Sequence, residues 1–179
     1  MSRLAPLDPA QASSPARELL GAVQKKLGLV PNMMRTMAQA PPVLEAYLGI
    51  SGALAKGRLD ARLRERLALV VAETNRCGYC VAAHTALGGL AGLKPHETVE
   101  ARRGQAGDKR DTAALTFARR LLQAGGDVTD ADVQALRTAG FDDGEIAEVV
   151  AHVGYNVFTN LFNHTAGTEI DFPPAPALS

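Results

Sequence analysis

The chain has 179 residues, 46% of them hydrophobic and 21% charged, a composition typical of one folded domain with a sizeable core. Nineteen basic residues balance nineteen acidic ones and no long basic block occurs, which argues against nucleic-acid binding. The N-terminus lacks the apolar core of a signal peptide, and the longest apolar run, at 67–72, is too short to span a bilayer. We therefore expect a cytoplasmic protein that does not enter membranes.

Helix signals follow one another along most of the chain, and no alternating strand-like pattern occurs. The sequence therefore predicts an all-α fold with one helical domain at 14–170, an N-terminal tail at 1–13 and a proline-rich tail at 171–179. A further helix passes through the cysteine-containing stretch and ends among the glycines at 88–92. The other predicted helices cover about 16–27, 29–42, 43–57, 61–74, 96–104, 109–126, 131–140 and 146–167.

Polar residues that suit helix N-termini precede several of these segments. Two of them form capping-box-like pairs, in which a second polar side chain three residues later bonds back to the cap. These positions predict where the helices begin. They are Ser14 followed by Pro15, Asp60, Asp108, Thr129 with Asp132, and Asp142 with Glu145.

Both cysteines of the chain lie in the stretch NRCGYCVAAH, as Cys77-x-x-Cys80 with His84 four residues later. On an unbroken helix, these three residues and Glu73 would share a face about 60° wide. In a reducing compartment, a thiol pair is more often catalytic or metal-binding than a structural disulfide. The spacing therefore predicts a site at which two thiols, an imidazole and a carboxylate act together.

Thiol redox is the chemistry that these groups favour. A free cysteine, with a pKa of about 8.5, is mostly protonated at neutral pH, and only its thiolate is a good nucleophile. His84 could take the proton of Cys80, and a carboxylate could orient the imidazole. Cys77 could then capture an oxidised Cys80 as a disulfide before oxidation proceeds further.

Other interpretations of the motif are weaker. Zinc could use Cys77, Cys80, His84 and Glu73, but structural zinc sites usually draw their ligands from two separate segments. Covalent haem attachment needs a histidine directly after the second cysteine, where Val81 stands. A thioredoxin-type site belongs to a βαβ unit, and inert core packing of the thiols remains an alternative. We expect neither a metal nor another cofactor.

The stretch ERLALVVAETNRCGYCVAAHTALG resembles the core of the alkylhydroperoxidase D-like proteins, within the carboxymuconolactone decarboxylase superfamily. That family has a glutamate twelve positions before Cys-x-x-Cys-x-x-x-His, and Glu65, Cys77, Cys80 and His84 match this signature. The stretches VPNMMRTMAQAPPVLEAYL and NVFTNLFNHTAGTEIDFP are similar to the peroxidase-related branch, so that the resemblance covers about residues 27–173.

The resemblance implies a helical bundle that assembles as a homotrimer or as a hexamer of trimers. It implies that Cys80 attacks a hydroperoxide, that Cys77 resolves the product, and that Glu65 and His84 relay a proton. An unidentified dithiol protein would then reduce the disulfide. Tyr79 occupies the position between the cysteines where the alkylhydroperoxidase D enzymes proper have a histidine, so its effect on peroxidase activity stays open.

Helical periodicity and the family resemblance favour different carboxylates as the partner of the histidine, and a break in the helix also bears on which cysteine is the more acidic. Periodicity favours Glu73 as the carboxylate, because Glu65 lies about 80° from the cysteine face on an unbroken helix. A break at 74–76, with Asn75 as the new N-cap, would bring Glu65 closer. The same break would favour Cys77 as the more acidic thiol at a helix N-terminus, whereas His84 favours Cys80. We prefer Glu65 and Cys80.

Three further residues are candidate pocket residues: Tyr79, His152 and His164. The function that the sequence predicts is a thiol-dependent peroxidase with a Cys-x-x-Cys redox pair. Two alternatives stay open, namely a thiol–disulfide oxidoreductase without peroxide specificity and a non-enzymatic, redox-sensing helical oligomer. No sequence feature separates these three.

Overall fold

Helices follow the order that the sequence predicts. The structure, a computed structural model, describes residues 2–178, and within that range it contains nine α-helices, one 3₁₀ turn at Pro9–Gln11 and no strand. The all-α prediction is therefore confirmed. The helices are α1 (Ser14–Leu27), α2 (Asn32–Met37), α3 (Pro41–Leu54), α4 (Ala61–Thr74), α5 (Gly78–Leu90), α6 (Pro95–Arg102), α7 (Lys109–Gln123), α8 (Asp130–Thr138) and α9 (Asp143–Ala166).

The predicted caps fix most of the helix starts. The Asp60 carboxylate accepts a hydrogen bond from the Leu63 backbone N–H at 2.9 Å, and Asp108 caps α7 in the same way. The two predicted capping boxes form at the starts of α8 and α9. The first start differs by one residue, because Ser13 stands at the N-cap position and Ser14 is already helical.

Helix α4 lies at the centre of the fold and packs against α5, α6, α7 and α9. All residues of its apolar run at 67–72 are buried. One apolar cluster joins α4 to α7, α8 and α9, and a second joins α1, α2 and α3 to the start of α5. Both cysteines belong to the second cluster. None of the helices in the described part of the chain is both long and apolar enough to cross a membrane.

A sharp break separates α4 from α5. Arg76 adopts a left-handed conformation, with φ of 56°, and the Cys77 backbone N–H donates to the Ala72 carbonyl at 2.8 Å. The predicted break is confirmed, but the predicted cap is wrong, because Cys77 and not Asn75 stands at the N-cap of α5. The left-handed residue reverses the chain, so that α5 packs along α4.

The C-terminal segment at 168–178 folds back over the second cluster without forming a helix. The Asp171 carboxylate accepts from the Asn32 backbone N–H at 2.7 Å, and the Pro176 carbonyl accepts from Arg102 Nη1 at 2.5 Å. The predicted division into two tails and one domain stays a prediction, and the two terminal residues, 1 and 179, lie outside the described residues.

Candidate active site

Glu65 and His84 form a close pair between α4 and α5. His84 Nδ1 lies 2.8 Å from Glu65 Oε2, and about one fifth of each side chain is exposed, 20% for the histidine and 21% for the glutamate. An ionised carboxylate only accepts hydrogen bonds, so the pair places a proton on Nδ1 and leaves Nε2 able to take another. The arrangement can orient an imidazole base.

Glu73 does not join this pair. Its Oε2 lies 2.7 Å from Arg102 Nε, in an ion pair that faces α6. Periodicity thus wrongly placed Glu73 on the same face as the cysteines, because the break at Arg76 changes the phase of the helix between them. Among residues 2–178, no three His, Cys, Asp or Glu side chains are grouped so that they could hold a metal ion.

Cys77 and Cys80 are joined by a disulfide, with their Cα atoms 5.3 Å apart. Both residues are only 2% exposed. They differ in their surroundings, since Cys80 lines a cavity of about 290 Å³ and Cys77 does not line it. Cys77 Sγ instead accepts the Cys80 backbone N–H at 3.3 Å. Of the two cysteines, Cys80 is therefore the one that borders the cavity.

The cavity beside Cys80 has mainly apolar walls. Its sides come from α2, α5 and α9, and the C-terminal segment closes one edge. His84 is also part of the lining, so the cavity borders both the histidine and one of the two cysteines. The apolar residues in the lining include Leu29, Met34, Leu87, Leu90, Phe172 and Pro173.

Tyr79, between the cysteines, supports the wall of this cavity. Its hydroxyl accepts from the Met33 backbone N–H at 3.3 Å, and its ring packs edge-on against Phe172 with ring centroids 5.7 Å apart. Burial raises the pKa of Tyr79 well above its ordinary value, so the hydroxyl stays protonated. Tyr79 therefore links α2, α5 and the C-terminal segment as a neutral phenol.

Asn163 on α9 also contacts Cys80, and sequence reasoning missed it. Its Nδ2 lies 3.4 Å from Cys80 Sγ and 3.1 Å from Met33 Sδ, and the residue is only 4% exposed. One sequence signal could have found it, because asparagines recur at 156, 160 and 163 at helical spacing along a buried face of α9.

A second cavity, of about 200 Å³, lies beside the Glu65–His84 pair. His152, a predicted pocket residue, lines this cavity rather than the one at Cys80. Burial lowers the pKa of His152, which favours the neutral imidazole, and within residues 2–178 its Nε2 has no hydrogen-bond partner. Tyr47 and Tyr155, stacked with ring centroids 5.3 Å apart, line both cavities.

His164 lies apart from the lining of both cavities. Its Nε2 lies 2.9 Å from the Asn75 carbonyl, in the break between α4 and α5. His164 therefore contacts the backbone of the break between α4 and α5, and its imidazole does not line the cavity beside Cys80.

The segment that contains Glu65, both cysteines and His84 matches a known protein family. Residues 41–124, which include Glu65, Cys77, Cys80 and His84, match the Carboxymuconolactone decarboxylase family. A protein of Haemophilus influenzae, named as uncharacterized, is 49% identical over 47 residues, which are 26% of this chain and 42% of that protein. The match thus spans less than half of that relative's length.

Solved structures match nearly the whole chain. The alkylhydroperoxidase AhpD core of an uncharacterized peroxidase-related protein from Ralstonia eutropha JMP134 is 29% identical, with a TM-score of 0.87 over 95% of this chain and 92% of that chain. A peroxidase-related protein from Silicibacter sp. TM1040 is 26% identical, with a TM-score of 0.80 over 93% and 92%. The debrominase Bmp8 in complex with 2,3,4-tribromopyrrole shares the fold, with a TM-score of 0.80 over 96% and 92%, at 16% identity.

Proposed function

The chain belongs to the alkylhydroperoxidase D-like proteins of the carboxymuconolactone decarboxylase superfamily, and from that premise we propose that it is a thiol-dependent peroxidase. One observation carries the proposal. Cys80 lines a cavity that His84 also lines, while Cys77 lies within disulfide distance but outside that cavity. The nucleophile and the base thus border one space, and the resolving thiol lies next to the nucleophile but outside that space.

The reaction begins with the reduced thiol pair. The Cys80 thiolate attacks the distal oxygen of a hydroperoxide, so that an S–O bond forms and the O–O bond breaks. The alkoxide that leaves takes the proton that His84 has accepted from the Cys80 thiol, while Glu65 keeps the imidazole oriented. The products of this step are an alcohol and a sulfenic acid on Cys80.

Cys77 completes the oxidative half of the cycle. Its thiolate attacks the Cys80 sulfur, the S–S bond forms, and the sulfenic hydroxyl leaves as water after protonation. The balance is one hydroperoxide and two thiols converted to one alcohol, one water and one disulfide. An external dithiol then reduces the disulfide by two thiol–disulfide exchanges and restores both thiols.

The walls of the cavity favour an organic hydroperoxide over hydrogen peroxide. Apolar side chains form most of the lining, and a volume of about 290 Å³ is at the small end of the range for ligand pockets. An apolar substituent on the peroxide would bury its surface against Leu87 and Phe172, whereas hydrogen peroxide has no such surface to bury.

The proposed function also bears on the location, the reductant and the assembly of the protein. A disulfide that must be reduced in every cycle suits a reducing compartment, and we therefore propose the cytoplasm as the location of the protein. We propose a protein dithiol as the reductant and a homotrimer, or a hexamer of trimers, as the assembly. Apolar side chains on the outer face of α9, Val150, Phe158 and Leu161, support an interface between copies.

Peroxide consumption with dithiothreitol as reductant tests the proposal. We expect Cys80→Ser to abolish turnover of cumene hydroperoxide, because the attacking sulfur is gone. Cys77→Ser should react once with the peroxide and accumulate a sulfenic acid that dimedone traps. The proposal is wrong if the folded Cys80→Ser protein still turns over peroxide.

A thiol–disulfide oxidoreductase without peroxide specificity is the second candidate, and the disulfide between Cys77 and Cys80 is the observation that favours it. Small disulfides and cumene hydroperoxide can be compared as oxidants of the reduced protein. A much larger second-order rate constant with the small disulfide would support this candidate. Preference for the hydroperoxide supports the peroxidase.

A further inference from the structure

We infer that Asn163 is a catalytic residue whose side-chain amide stabilises the Cys80 thiolate, an inference that rests on the proposed peroxidase function. The contact that carries it is the one between Asn163 Nδ2 and Cys80 Sγ, at 3.4 Å. Asn163 comes from α9, 83 residues further along the chain, and lies outside the segment that matches the family. Asn163 therefore joins Glu65, Cys80 and His84 as a fourth residue of the site, from outside the matching segment.

The contacts of the amide determine which of its two atoms faces the sulfurs. Cys80 Sγ and Met33 Sδ, the latter 3.1 Å from Nδ2, are both acceptors, and only the NH₂ group can donate to them. A methionine sulfur never donates, so the contact with Met33 holds the amide in this orientation whatever the redox state of Cys80. Within residues 2–178, Asn163 Oδ1 has no hydrogen-bond partner.

Cys80 needs such a donor because of where it lies. The residue is only 2% exposed and borders an apolar cavity, and burial of this kind disfavours a thiolate. A hydrogen bond to the charged form offsets that penalty, and hydrogen bonds to ionised groups are roughly twice as strong as neutral ones. The N–H of Asn163 is positioned to supply this bond once the disulfide is reduced.

The two sulfurs therefore have different donors. Cys77 Sγ accepts the backbone N–H of Cys80 at 3.3 Å, a donor that no side-chain substitution removes. Cys80 Sγ receives a side-chain donor from a distant helix. Substitution of Asn163 should change the ionisation of Cys80 alone.

A lower thiol pKa raises the thiolate fraction but also makes each thiolate a weaker nucleophile. Loss of the donor should therefore slow alkylation of Cys80 at neutral pH. At a pH at which the thiol is fully ionised in every variant, the rate should be equal to or higher than that of the parent. Damage to the fold of the site would instead slow the reaction at every pH.

The experiment uses the full chain with Cys77→Ser as the parent, so that Cys80 is its one thiol. Thiolate absorbance near 240 nm and the rate constant for iodoacetamide are measured against pH. We expect Asn163→Leu and Asn163→Ala to raise the midpoint of both curves by about one pH unit, a tenfold lower ratio of thiolate to thiol. Asn160→Leu, which removes a neighbouring buried amide of α9 that does not bond to Cys80, should leave the midpoint unchanged.

Leucine keeps the branched outline of asparagine but is bulkier, and alanine relieves any crowding that leucine causes. Circular dichroism identifies which variants are folded. An unchanged midpoint in a folded Asn163 variant overturns the inference. A slower reaction at every pH, with no change of midpoint, would also overturn it, by showing that the amide only supports packing. No peroxide is used, so this result is independent of whether the protein proves to be a peroxidase.

Discussion

Glu65 and Arg66 are neighbours in the sequence, yet they belong to two polar regions of different character beside α4. Arg66 joins an ion cluster, made of Arg66, Glu97 and Asp111, in which its Nη1 and Nη2 each lie 2.6 Å from a carboxylate oxygen. Glu65 joins the thiol site, made of Glu65, Cys77, Cys80, His84 and Asn163, in which it bonds to His84 beside a cavity.

The charges of the ion cluster are paired, with Arg62 as a second cation for Glu97, and within residues 2–178 only Arg66 Nε among its buried side-chain atoms has no hydrogen-bond partner. Burial raises the pKa of Asp111, and the Arg66 guanidinium opposes that rise. A hydrogen bond from the Lys94 backbone N–H lowers the pKa of Glu97, and the charges of Arg62 and Arg66 lower it further. In the thiol site, by contrast, His84 Nε2 remains available, and within residues 2–178 Asn163 Oδ1 has no partner. Paired charges stabilise a fold, whereas chemistry needs reactive groups that border a space for substrate.

Removal of Arg66 should affect stability far more than chemistry. Arg66→Met leaves the buried Asp111 without its cation and removes one of the two cations of Glu97, and we expect a loss of about 3 kcal/mol in the free energy of unfolding. Urea denaturation measures this loss. Arg137→Met, which breaks an exposed ion pair with Asp143, should cost less than about 1 kcal/mol. Equal losses in the two variants would contradict the contrast between the regions.

Removal of the Glu65 carboxylate should have the opposite effect, with activity lost and the fold kept. Glu65→Gln removes the negative charge that holds and stabilises the protonated His84. We expect kcat/KM for cumene hydroperoxide to fall about 100-fold. Glu73→Gln is the matched control, because that carboxylate bonds to Arg102 outside the site. Similar losses of activity in both variants would restore Glu73 as the relay carboxylate.

Phe172 should set the preference for apolar peroxides. Phe172→Ala removes part of the cavity wall and its contact with Tyr79, so we expect the ratio of kcat/KM for cumene hydroperoxide to that for hydrogen peroxide to fall about tenfold. The ratio cancels general damage to the enzyme. Phe158→Ala on the outer face of α9 should leave it unchanged, and an unchanged ratio in Phe172→Ala would mean that this wall does not contact substrate.

His152 should make the smallest contribution, visible only in the pH dependence of stability. Burial lowers the pKa of His152, so the unfolded chain takes up the proton at a higher pH than the folded protein does. Stability is therefore lost as the pH falls below about 6.5. In thermal unfolding from pH 7 to 5, His152→Gln should show a shallower fall in Tm than the parent, while the exposed His96→Gln should match the parent. A slope that His152→Gln leaves unchanged would refute this role.

Local rules were sufficient to predict the helices and most of their starts. Capping by Asp60 and Asp142 depends on side chains that bond within one turn, so the sequence contains all the information required. Periodicity failed at Glu73 because it assumes an unbroken helix, and the left-handed Arg76 ends that helix. The family signature identified Glu65 correctly as the neighbour of His84, since it reflects the folded arrangement and not the phase of a single helix.

Long-range contacts account for what the sequence could not predict. Asn163 reaches Cys80 across 83 residues, and Phe172 reaches Tyr79 from a segment with no helical or strand pattern. Helical spacing places Asn163 on one face with two other asparagines, but it does not identify Cys80 as the partner, because both contacts depend on how α9 and the C-terminal segment pack against α5. His152 and His164 show the same limit, since both lie on α9 but face different surroundings.

Trapping of the sulfenic acid tests most directly the claim that Cys80, and not Cys77, attacks the peroxide. Reduced Cys77→Ser and Cys80→Ser proteins are each given one equivalent of cumene hydroperoxide with dimedone, and tandem mass spectrometry locates the adduct. We expect an adduct on Cys80 of the first protein and almost none on Cys77 of the second, because only Cys80 borders the cavity. An adduct that forms on Cys77 as fast as on Cys80 would contradict the account.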